Sequence, residues 1–188
     1  VAHLVLNGAD PRRILLLTFA RRAAAEMTRR VAHICAQTTK GRCGLPADAI
    51  EWSGTFHAVG ARLLRLHAEW IGLAASFSIC DRGDAEDLMD VVRADLGYAS
   101  TRNRFPKKGT CLSIYSHVVN AQASLRETLL RAFPWCAQWE DDLGKLFGGY
   151  VAAKQAQEML DYDDLLLYWA KIMVAPGLAA VVAEGFRH

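Results

Sequence analysis

The chain has 188 residues, which suits one large domain or a domain with a subdomain. Hydrophobic residues make up 52% of it, enough for a packed core, and this excludes a disordered chain. A net charge of +2 does not by itself point to a polyanion, and five scattered cysteines without a C-x-x-C spacing exclude a disulfide framework.

In chain order, Ala2–Leu6 is apolar with Asn7-Gly8 behind it, a helix end with a glycine stop. Ile14–Thr18 is a continuous apolar run after Pro11-Arg12-Arg13, as expected of a buried parallel strand. Ala23, Met27, Val31 and Ile34 recur at helical spacing and predict an amphipathic helix from Ala20 to about Gln37. Thr38–Asp48 reads as a polar loop and Ile50–Thr55 as a second strand. Val59, Leu63, Leu66 and Trp70 mark one face of the next helix. Two strands, each followed by a helix, imply crossover units and a parallel sheet.

The pattern changes after Gly72. Phe77-Ser78-Ile79 is a short strand candidate, and Asp81 or Asp84 can cap a helix whose apolar face includes Leu88, Val91, Val92 and Leu96. Tyr98–Thr110 is loop-like. Helical patterns resume over Leu112–Ala123, Leu125–Phe133, Pro134–Glu158 and Asp161–Val174, with Gly148-Gly149 a candidate break in the third. The expected organisation is an α/β part over 1–74, a helical part over 75–158, and a return to the first part over 159–188. The apolar stretch around Ile172–Val182 is interrupted by Pro176-Gly177 and is too short to span a bilayer.

Two segments share one layout. Thr18-Phe19 closes an apolar run and opens a helix carrying Arg21 and Arg22. Thr55-Phe56-His57 does the same ahead of Arg62-Leu63-Leu64-Arg65. A strand that ends in a hydroxyl and a ring, then opens a helix, offers free N–H groups, a phosphate-sized donor and a flat surface for a base. The charge follows this layout. Residues 1–65 hold ten Lys/Arg against four acids, a net +6, while the rest carries twelve against sixteen, a net −4. The bland alternative is that Arg21, Arg22, Arg29 and Arg30 solvate a helix face.

Thr18-Phe19, Ala23-Ala24 and Glu26-Met27 resemble motif Ia of the UvrD/Rep-type superfamily 1 DNA helicases. Gly54-Thr55-Phe56-His57 with Arg62–Arg65 resembles the family's next motif. Lys154 with Leu160-Asp161-Tyr162-Asp163-Asp164-Leu165-Leu166 is a third match in the same order. The resemblance implies a partial RecA-like parallel sheet of the P-loop NTPase type, lacking the Walker A strand, with a mostly α-helical 1B insertion. It implies a parent that uses ATP and magnesium to move 3′ to 5′ on single-stranded DNA and to open duplexes. The implied partners are single-stranded DNA, single-strand/duplex junctions, and repair or recombination proteins. The implied compartment is the bacterial cytosol or nucleoid, in keeping with free cysteines.

No G-x-x-x-x-G-K-[ST] loop occurs, and no apolar run ends in Asp-Glu. The resemblance therefore implies the middle of a first motor domain, continuing at both ends and inactive toward ATP on its own. Two other readings stand beside it. One is the motor region of a helicase–nuclease subunit for double-strand-break processing; the other is a non-catalytic nucleic-acid- or protein-binding module.

The expected DNA contacts are Thr18, Phe19, Arg21, Arg22, Thr55, Phe56 and His57. Against this, both rings could cap the core, both threonines could serve only as helix caps, and His57 could be structural. At Ala20-Arg21-Arg22 many family members carry Thr, Asn and Lys, so the two arginines would substitute ionic contacts for hydrogen-bonded ones. Asp161 and Asp164 have the spacing of a capping box, with Leu160 and Leu165 as its staple. Lys154 is expected on the surface or paired with an acid. No catalytic residue and no metal site is expected, since His33, Cys35 and Cys43 lack a fourth ligand.

Overall fold

The computed structural model describes residues 1–38, 46, 49–99 and 104–188. The chain divides into two units: Val1–Leu66 with Tyr168–His188, and His67–Leu167.

In the first unit, α1 (Ala2–Leu6) ends at Gly8, whose φ of +90° is the left-handed turn that glycine adopts without strain. The Gly8 and Ala9 N–H groups donate to the Val5 and Leu4 carbonyls. Then come β1 (Leu15–Thr18), α2 (Arg21–Thr38), β2 (Trp52–Thr55) and α3 (Phe56–Leu66). The two strands pair in parallel, Leu15 opposite Trp52 through Thr18 opposite Thr55. Beyond β1 the chain's last residues run alongside it. The Arg187 N–H donates to the Arg13 carbonyl and the Leu15 N–H to the His188 carbonyl, each at 2.9 Å. Ile14, Leu16, Val31, Cys35 and Ile50 form the core beneath α1 and α2.

The helical periods are where the sequence puts them, but two phases are displaced. α2 buries Ala24, Val31 and Cys35, while Met27 and Ile34 are exposed. Small Ala24 is preferred at the sheet because a helix lies close there. α3 stops at Leu66, and both Leu66 and Trp70 are exposed rather than facing a core.

The second unit is helical. α4 (Arg82–Asp95) starts at a capping box: Asp81 accepts from the Gly83 and Asp84 N–H groups, and Asp84 accepts from the Asp81 N–H. Its buried face is Ala85, Met89 and Val92, leaving Val91 exposed. α5 (Lys108–Ala121), α6 (Leu125–Ala132) and α7 (Glu140–Ala156) complete the bundle. Met89, Ile114, Leu129, Leu143, Leu146 and Tyr150 lie at its centre. Pro134–Trp139 is a 3-10 segment, so α7 starts later than the sequence predicts, and Gly148-Gly149 does not break it. A two-residue parallel pair, β3 (Ser78–Ile79) with β4 (Met159–Leu160), ties the unit's ends together. β4 is too short to show a period.

α8 (Tyr162–Val174) and α9 (Pro176–Gly185) close the chain. Among the described residues no single helix is long and apolar enough to cross a membrane; α8 and α9 pass together only as a pair bent by 99°. The architecture is α/β, a partial parallel sheet followed by a helical insertion.

Candidate nucleic-acid interface

Parallel pairing sets the site. Thr18 and Thr55 are partners in register at the ends of β1 and β2, so α2 and α3 open side by side from one sheet edge. Neither helix has an acidic residue in its first turn. Both N-termini therefore present uncompensated positive dipole ends and free N–H groups. Arg21 and Arg22, exposed in the first turn of α2, add charge where the dipole already repels it. Such a placement costs stability by a few tenths of a kcal/mol to about 1 kcal/mol per residue, and a bound anion would relieve it. Neither arginine has an ion pair among the described residues; Arg29 and Arg30 both pair with Glu26.

The two phenylalanines meet above this edge. Their ring centroids are 5.3 Å apart and tilted by 37°. Phe19 is 93% exposed, which excludes the core-capping role for that ring. Phe56 is half-buried and also meets Trp169 of α8, at 6.1 Å. Trp169 in turn lies so near α3 that a Cβ at Gly60 would come within 3.0 Å of its ring. Phe56 is thus propped from behind, while Phe19 stands outside with one face free. Sequence reasoning missed Trp169, which is brought in by the fold from far along the chain with no local signal.

Thr55 Oγ1 accepts a 3.3 Å hydrogen bond from the Ala58 N–H, a cap on α3 that leaves the hydroxyl hydrogen free to donate elsewhere. Thr18 is half-buried beside it, and His57 is half-buried in the first turn of α3. Behind β2, Arg62 lies over the Trp52 ring at 4.1 Å and donates to the Glu51 carbonyl at 2.6 Å. This fixes the middle of α3 against the start of the strand. Lys40, Arg42 and Cys43 lie outside the described residues.

A second polar cluster is fully buried in the helical unit. Lys154 Nζ donates to Asp161 at 2.7 Å, to Asp164 at 2.5 Å and to the Tyr115 hydroxyl at 3.3 Å. Tyr150 donates to Asp161 at 2.9 Å. Lys154 is 2% exposed, so of its two expected settings it takes the pairing with an acid and not the surface. Asp161 and Asp164 also bond each other's backbone N–H groups, at 2.8 and 3.1 Å, a reciprocal cap on α8. Burial works to lower the Lys154 pKa, but Asp161 and Asp164 outweigh it and hold the ammonium above its usual range. Burial, then the neighbouring Asp161 charge, raises Asp164, with Lys154 opposing. Burial pushes Tyr115 up to about 12. Asp161 borders a small cleft of about 110 Å³ shared with Cys80, Leu112 and Asp163, and the cluster's chemistry is that of a satisfied internal ion group.

Against known proteins, the family model described as the UvrD/REP helicase N-terminal domain matches residues 1–188. The chain belongs to this helicase family. It is 30% identical over 190 residues to an ATP-dependent DNA helicase PcrA of Leuconostoc citreum, covering 100% of this chain and 24% of that one. It is 30% identical over 200 residues to the ATP-dependent DNA helicase UvrD1 of Mycobacterium tuberculosis (strain ATCC 25618 / H37Rv), covering 100% and 23%. A PcrA of Bacillus subtilis (strain 168) is 30% identical over 173 residues, covering 92% and 21%. The chain thus spans about a quarter or less of the length of these UvrD/REP-type relatives.

The ATP named in those relatives does not fit the residues present. The sequence has no phosphate-cradling G-x-x-x-x-G-K-[ST] loop. Among the described residues no three His, Cys, Asp or Glu side chains gather to hold a metal ion. No nucleotide step is assigned to these residues.

Proposed function

We propose that these 188 residues are the strand-gripping part of an ATP-dependent DNA helicase that moves 3′ to 5′ on single-stranded DNA. The observation that carries the reading is the register of Thr18 with Thr55, which brings two acid-free helix N-termini and an exposed ring to one edge. A strand laid across this edge would set phosphates against the first-turn N–H groups, the threonine hydroxyls, His57, Arg21 and Arg22. It would stack a base on Phe19, with Phe56 behind. Residues 1–74 with 159–188 are then part of the first motor domain and residues 75–158 its helical 1B insertion, near the divisions of the chain after Leu66 and before Tyr168. Asp161 and Asp164 serve as the structural cap where the insertion leads into α8.

ATP turnover, duplex opening and contacts at single-strand/duplex junctions or with repair and recombination proteins belong to the whole protein. Its place is then the cytosol or nucleoid, with the DNA. The 188-residue chain alone should not hydrolyse ATP.

The test is fluorescence anisotropy of labelled oligo-thymidylate against the chain across a salt series. The double variant Arg21→Ala/Arg22→Ala should bind more weakly and flatten the salt slope by about 0.7 per lost phosphate contact. An unchanged slope and affinity in that variant, with the fold intact by circular dichroism, would sink the reading.

A further inference from the structure

Among the described residues β1 has backbone partners on both sides, whereas on β2 the side away from β1 has no strand partner; there Arg62 holds the Glu51 carbonyl just ahead of the strand. In a parallel ladder alternate residues turn both N–H and C=O to the same side, so about half of the β2 groups face outward.

A cleft of about 910 Å³ runs along this edge. Its walls are α2 and α3, on opposite faces of the sheet. Ser53 meets Thr28 of α2 through a 2.9 Å hydroxyl contact, while a Cβ at the next residue, Gly54, would meet Val59 of α3 at 3.3 Å. Near the strand the walls are low, because Ala24 and Ala58 are small. The cleft's lining also carries Arg21, Arg29 and Arg62; Arg29 is paired with Glu26 and Arg62 with Glu51, and Arg21 has no ion pair among the described residues. The lining holds three arginines against one acid, a net positive charge.

We infer that this edge accepts an extended acidic segment of a partner protein as an added strand. Such an edge is an interaction template unless something covers it. The open edge alternates donors with acceptors along the strand. A peptide matches both, whereas a phosphodiester chain only accepts and would leave the outward Ser53 carbonyl unpaired. Asp and Glu side chains at alternate positions would meet the arginines. Arg21 and Thr55 belong both to this cleft and to the proposed strand grip, so an acidic segment here competes with DNA. Binding of the segment itself does not depend on the grip being correctly assigned.

The experiment uses the full chain, isotopically labelled, and a short fluorescent peptide alternating Asp or Glu with Val. Expected are saturable binding, amide shifts at Ser53, Gly54 and Thr55, and a loss of about tenfold when alternate peptide amides are N-methylated. Arg29→Glu, which lies outside the strand grip, should weaken binding by a similar factor. Three results would overturn the proposal: no binding up to millimolar peptide, undiminished binding of the N-methylated peptide, or shifts of those amides with oligo-thymidylate but not with peptide. Loss of DNA binding in Phe19→Ala with peptide binding intact would leave it standing, so the two readings fail separately.

Discussion

Phe19 is the residue that separates adhesion from architecture. A ring that is 93% exposed contributes almost nothing to the core, so its removal should act on binding alone. Phe19→Ala is expected to weaken single-stranded DNA binding by about 1–3 kcal/mol, the worth of one stacked base, without moving the melting temperature. Anisotropy and thermal melts of the same preparation decide it. Lys154 is the opposite case. With both carboxylates buried around it, Lys154→Met strands two charges away from water and should cost about 3–5 kcal/mol of stability. Urea denaturation measures this, and a loss below about 1 kcal/mol would mean that Asp161 and Asp164 do not depend on the ammonium.

At the scale of elements, α7 holds two adjacent glycines in different surroundings. A Cβ at Gly148 meets nothing within 4 Å, whereas one at Gly149 falls 2.8 Å from Val92 Cγ1 of α4. Gly148→Ala should therefore stabilise by about 0.5–1 kcal/mol through helix propensity. Gly149→Ala must push a stiff β-branched neighbour and should destabilise by about 1–2 kcal/mol net. Opposite signs in paired denaturation curves are the expected result. These glycines also show why the sequence misleads locally. Read alone, Gly148-Gly149 suggests a break, but tertiary packing against α4 rewards the missing side chain and the helix runs through. The same contest explains the shifted faces of α2 and α4. Periodicity located both helices, yet Ala24 and Ala85 are buried while Met27 and Val91 are not, because close approach selects small residues that a hydrophobicity pattern undervalues. β4 was illegible because two residues carry no period. The two Thr-Phe segments are plain in the sequence, but their register is set by pairing across the intervening helix, and Trp169 behind Phe56 by the return of the chain.

At the scale of the whole molecule, the perturbed groups are unevenly placed. Burial pushes Cys80 up to about 11, Cys111 to about 12 and Tyr115 to about 12, and raises Tyr150 too. All of them, with Lys154, lie within His67–Leu167. Each holds its proton more tightly when folded. Above the ordinary thiol and phenol ranges the unfolded chain binds fewer protons than the native one, so stability falls as pH rises. The contribution is complete below about pH 9 and is lost between roughly pH 9 and 12. Amide exchange followed through that window should show the helical unit loosening first. Earlier or equal loosening of Val1–Leu66 would contradict the assignment.

The buried thiols have a practical consequence. Cys35 sits in the first unit and Cys80, Cys111 and Cys136 in the second, all shielded from solvent. An alkylating reagent reaches a thiolate only when its surroundings open. Among the described residues the native chain therefore carries its own stopwatches, one in the sheet-bearing unit and three in the helical one. Site-resolved mass spectrometry of the tagged cysteines would time the breathing of each unit separately, with no engineered probe.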